Sequence, residues 1–98
     1  MEDSNEVALP DYLTKNPDGT FDVKLRSAIT INGAKVTALR MREPTVGDHL
    51  VQKAVKGDDD VKEMTMVANL CSLSLDDVKL MGLHDYKRAQ ECFVNFIG

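Results

Sequence analysis

The side chains best suited to ligating an ion or moving a proton are two histidines, two cysteines and sixteen carboxylates. Their spacing organises none of that chemistry. The order His49, Cys71, His84, Cys92 contains no pair three or four residues apart, the spacing that sets two zinc ligands on one turn. His49 follows Asp48 and His84 precedes Asp85. Helical neighbours point roughly 100° apart, so neither carboxylate orients its histidine. Asp58-Asp59-Asp60 lacks the spaced Asx, Gly and closing Glu of a calcium loop and reads as a helix cap. Gly47 sits in no phosphate-cradling pattern and no serine lies in a nucleophile elbow. These residues describe a non-enzyme with no metal and no cofactor.

The elements that position them change character once, in the run Ala38 to Leu50. Before it, Phe21, Val23 and Leu25 alternate with Asp22, Lys24 and Arg26 as in a half-buried strand. Ile29 and Ile31 continue the alternation, and Asn32-Gly33 is the pair that best forms a two-residue hairpin turn. Ala34 to Met41 returns as the partner strand. Pro44 lacks an N–H and holds Glu43 extended, which ends the strand. Thr45 with Asp48 then forms a capping box. A first helix is expected from Val46 to Lys56, stopped by Gly57. A second is capped by the aspartates and striped by Val61, Met64, Val67, Ala68 and Cys71. A third begins at Ser74, boxed by Asp77, with Leu75, Val78 and Met81 inward. A fourth runs from Tyr86 to Ile97, capped by Asp85. A hairpin does not stand alone in water, so the helices must cover one face of it. The expected fold is α+β: an antiparallel hairpin sheet of two to three strands on three to four short helices.

Residues 1–19 read as an acidic, loosely ordered arm, with a turn at Asn16-Pro17-Asp18-Gly19. Residues 20–98 read as a single domain, with the sheet over 20–43 and the helical part over 45–97. The chain has no Trp, three Phe and two Tyr but five Met, so its core is aliphatic and partly of thioether. Met64 and Met81 fit ordinary core, while Met66 falls off the main stripe. Met66, with Val51 and Val55 on the first helix, is where an exposed apolar patch for a partner helix is expected. The sheet edge near Lys35 and Thr37 is a second expected contact.

The net charge of −4 argues against sequence-independent nucleic-acid binding. Five bases against two acids over residues 21–44 leave a small nucleic-acid-associated regulator as an alternative. No apolar run is long enough to span a membrane. The acidic N-terminus has no secretory pattern, so a cytoplasmic chain with reduced cysteines is expected.

Leu39-Arg40-Met41-Arg42-Glu43-Pro44-Thr45-Val46-Gly47-Asp48, following a Gly-tipped hairpin, resembles the small tail assembly chaperones of contractile-tailed bacteriophages and prophages, the Mu-like and P-two-like tail assembly proteins. Leu75 to Phe96, with Asp85 before the last helix, resembles the same family, and the likeness covers about residues 20–97. Met41 stands where that pattern has an aliphatic residue. The resemblance implies a chaperone that binds the phage tape measure protein and keeps it soluble in the bacterial host cytoplasm, and that is absent from the mature virion. It also implies a frameshifted longer form of the chain; the tail tube protein and further copies of the chain are expected as additional partners. Arg40, Arg42, Glu43, Pro44, Thr45 and Asp48 match the family run and read as structural. A minor tail or baseplate protein retained in the virion is the other alternative.

Overall fold

A computed structural model describes residues 9–97 of the chain. The elements run β1 (Leu13–Lys15), β2 (Phe21–Ile31), β3 (Ala34–Met41), α1 (Val46–Ala54), α2 (Asp59–Leu70), α3 (Leu75–Lys79) and α4 (Leu83–Ile97). The three strands form one antiparallel sheet in the order β1-β2-β3, and four helices follow, an α+β arrangement. Asn32 and Gly33 both take positive φ, 51° and 80°, as the tight turn between β2 and β3 requires.

Phe21, Val23, Leu25 and Ile29 of β2 and Leu39 and Met41 of β3 are buried on one sheet face. They meet Val67, Ala68 and Leu70 of α2, Val78 of α3, and Ala89 and Cys92 of α4. Phe21 and Phe96 pack edge to face with ring centroids 5.0 Å apart. Each fully buried aliphatic here contributes about 1.5–3 kcal/mol by leaving water.

Three features differ from the sequence expectation. The segment expected as an arm over 1–19 holds β1, with Leu13 opposite Val23 and Lys15 opposite Phe21. The Asn16–Gly19 turn folds this short strand back onto β2: the Asn16 N–H donates to the Thr20 carbonyl at 2.8 Å, and Asp18 accepts from Thr20. Three residues are too few to show a period. Of the apolar run Val7-Ala8-Leu9 in that segment, Val7 and Ala8 lie outside the described residues. The first helix ends at Ala54 rather than Lys56, because Val55 is extended. The fourth helix starts at Leu83, and Asp85 does not cap it.

Asp85 instead serves the sheet. Lys24 pairs with Ala38 and Ile29 with Val36, so Leu25–Ala28 bulge out opposite Thr37. A bulge strands backbone N–H groups. Asp85, 1% exposed, accepts from the Arg26 N–H at 2.7 Å and the Ser27 N–H at 3.0 Å, one on each carboxylate oxygen. Three residues on, Arg88 donates from Nη1 to the Lys24 carbonyl at 2.9 Å and lies 4.5 Å over the Tyr12 ring. One face of α4 thus closes the edge of β2 where β1 stops.

Candidate functional site

The joint between β3 and α1 is built from the family-like run. Thr45 is the N-cap of α1, its side chain accepting from the Asp48 N–H at 3.1 Å while Asp48 accepts from the Thr45 N–H at 2.8 Å. Arg42 grips the same carboxylate with both terminal nitrogens, at 2.7 and 2.8 Å. That fork holds the Asp48 carboxyl well below the usual carboxylate range and raises the Arg42 guanidinium. The Arg42 N–H donates to the Leu70 carbonyl at 3.1 Å, so the joint also satisfies the end of α2. Arg40 pairs across the strands with Asp22 at 3.0 Å, and this lowers the Asp22 carboxyl. Glu43 is exposed and Pro44 half-buried. The charges of Arg40, Arg42 and Asp48 are each met by a residue of the same joint or sheet.

The residues expected to meet a partner do not form one site. Val51 is 52% exposed on α1, and Val55 is half-buried just past its end. Lys35 and Thr37 are exposed on β3, an edge strand. Met66 is only 4% exposed, which corrects its expected place on a surface patch. Its position off the Val61–Met64–Val67 stripe turns it toward Phe93 of α4, with which it lines the bottom of a hollow under α1. The second helix is covered on two sides, so a residue off its main stripe is still interior.

A separate concavity lies where α2, α3 and α4 converge. It is an open groove of about 540 Å³. Its floor is Met64, Val78 and Met81; Leu83 and Tyr86 form one wall, and Asp60, Lys79 and Lys87 stand around it. Leu83 is 71% exposed, and its near neighbour Leu80 is 59% exposed. Glu63 ties two walls together: its Oε1 accepts from the Tyr86 hydroxyl and from Gln90 Nε2, each at 2.7 Å. Burial, followed by the Glu63 carboxylate, pushes the Tyr86 hydroxyl above the ordinary tyrosine value, so it remains a donor. A flexible thioether floor with a rim of both charge signs suits an apolar stripe flanked by polar residues. Met64 and Met81 fitted core by their spacing. The signal pointing here is the pair Leu80 and Leu83 around Gly82, two large apolar residues at a helix break that belong to neither helix's inner stripe.

Cys71 and Cys92 are free and buried, and burial pushes both thiols up to about 12. Both histidines are exposed. Among the described residues no three His, Cys, Asp or Glu side chains gather into a group able to hold a metal ion. Among the described residues no helix is long and apolar enough to cross a membrane.

Compared with known protein families, residues 22–98 match the family described as phage tail assembly chaperone proteins, E, or 41 or 14. No curated protein and no solved structure matches the chain.

Proposed function

From the chain's place among the phage tail assembly chaperones, the family to which it belongs, we propose that it binds the tape measure protein and keeps it soluble while the tail is built. In this reading the chain is non-catalytic, works in the host cytoplasm and is absent from the finished particle. A frameshifted longer form of the chain and the tail tube protein are its further partners. The observation that carries the reading is the open Met64–Val78–Met81 groove with Leu83 exposed on its wall. An amphipathic helix of the client seats its apolar stripe on that floor and its charged residues against Lys79, Lys87 and Asp60. Many copies along one extended client need only weak single contacts, because linkage through the client supplies avidity.

The basic strand face supports a nucleic-acid role poorly, since Arg40 and Arg42 are already held by Asp22 and Asp48. The test is co-expression with the tape measure protein, followed by size-exclusion chromatography of the soluble fraction. The client should turn soluble and co-elute with several copies of the chain. A client that stays insoluble, with the chain eluting alone, rejects the reading. Finding the chain in purified virions moves the function to a retained tail component.

A further inference from the structure

Helix α1 is turned inside out. At roughly 100° per residue, Val46, Leu50, Ala54, Gly47 and Val51 share one arc about 140° wide. An arc of that kind normally faces the core. Here it faces away from the core: Val46 is 79% exposed, Leu50 62% and Val51 52%, and Ala54 and Gly47 are exposed too. The polar side lies against the molecule instead, with Asp48 held by Arg42 and Gln52 donating to the Lys62 carbonyl at 3.3 Å. The helix buries none of its own nine residues. It is held by the Thr45–Asp48 box at its N-terminus and by its polar side against α2, with its apolar arc left uncovered. Helices this short are marginal in water without a packed face.

The spacing of the arc says what covers it. Within the arc, Gly47, Leu50, Val51 and Ala54 follow one another at steps of three, one and three residues. That order reads the same from either end. An antiparallel copy therefore sets Leu50 against Val51, Val51 against Leu50, and Gly47 against Ala54. An isologous two-fold interface needs that self-complementarity, in which residue i meets j and j meets i. The small residues on either side of the Leu50-Val51 centre let the two backbones approach. A Cβ added at Gly47 would meet nothing closer than Thr45 Oγ1 at 3.5 Å, so the notch is open. Charge agrees: α1 carries one acid, Asp48, and one base, Lys53, in a chain of net charge −4. Two copies meet there without the like-charge repulsion expected elsewhere on the surface.

We infer that the outward arc of α1, centred on Leu50 and Val51, pairs with the same arc of a second copy of this chain. This surface is separate from the groove between α2, α3 and α4 and does not depend on what that groove binds.

Light scattering on the eluting peak, over tens to hundreds of micromolar chain, is the direct test. The wild-type chain should approach twice 10.9 kDa as concentration rises. Leu50→Glu, a change at a position 62% exposed, should keep its far-UV spectrum and remain at the single-chain mass. An orthogonal probe is Val51→Cys under mild oxidation, the native thiols being buried and protonated. It should give a covalent dimer, while Val94→Cys, 58% exposed on α4, should not. A wild-type chain that stays single at every concentration overturns the inference. So does a Leu50→Glu chain that still doubles its mass, or equal cross-linking at positions 51 and 94. If Leu50→Glu abolishes client solubilisation while the wild-type chain is single, α1 is a client surface and the inference also fails. A monomeric Leu50→Glu chain that still solubilises the client supports both readings.

Discussion

Replacing Asp85 should destabilise this domain more than its helical position suggests. The carboxylate is 1% exposed and accepts two backbone N–H groups of the β2 bulge at 2.7 and 3.0 Å. Hydrogen bonds to a charged group are each worth about 1.5–3 kcal/mol net, and an orphaned buried donor costs about 1–3 kcal/mol. Arg26 and Ser27 have exposed side chains, so water entering beside them offsets part of the loss. Asp85→Ala should therefore cost about 2–4 kcal/mol, against a total of about 5–15 kcal/mol for a domain this size. At about 4–8 °C per kcal/mol, the melting temperature falls by about 8–32 °C. Asp85→Asn is the sharper variant, because its oxygen replaces only one acceptor and its NH₂ faces the other N–H, donor against donor. It should be nearly as damaging as alanine despite its matching shape. Urea titrations give the free energies, and hydrogen exchange gives a local readout, with the Arg26 and Ser27 amides protected in the wild type and released in both variants. An Asp85→Asn chain within about 0.5 kcal/mol of wild type, the range of an ordinary surface change, would refute the role.

Asp48→Ala should cost about 1 kcal/mol at neutral pH through the lost cap. Because the Arg42 fork depresses the Asp48 carboxyl, its stabilisation is complete above the unfolded aspartate pKa of about 3.9. It is lost as pH falls below that toward the folded value, so urea midpoints of variant and wild type should converge in acid. Met66→Ala should cost about 2–5 kcal/mol as a core cavity, whereas Thr37→Ala on the exposed strand should stay within about 0.5 kcal/mol by the same titration. Cys71 and Cys92 should resist a thiol reagent in the native state through mildly alkaline pH and react promptly in denaturant, since burial holds both near 12.

What the sequence made legible was local. The Asn32-Gly33 turn and the two capping boxes at Thr45 and Ser74 involve residues at most three apart, and all stand where their spacing put them. What stayed hidden depends on partners far along the chain. Asp85 sits where a helix cap belongs and is instead bound 58 and 59 residues away, to a bulge that no strand period announces. Met66 looked exposed because one stripe was counted on a helix that α1 and α4 also cover. The start of α1 was legible from the Thr45–Asp48 box, but which way its apolar residues face was not, since an amphipathic pattern does not say what covers it. The groove was invisible for a similar reason: Met64, Val78, Met81 and Leu83 come from three helices whose convergence is tertiary.

Solubility of the tape measure protein is the most direct measure of the central claim. It should be co-expressed with the wild-type chain and with a Leu80→Glu, Leu83→Glu double variant, whose changes lie at exposed positions and leave the fold intact by circular dichroism. The client should be soluble and co-elute with the wild-type chain and stay insoluble with the folded variant. Equal solubilisation by both chains would contradict the groove, and none by either would contradict the chaperone reading itself.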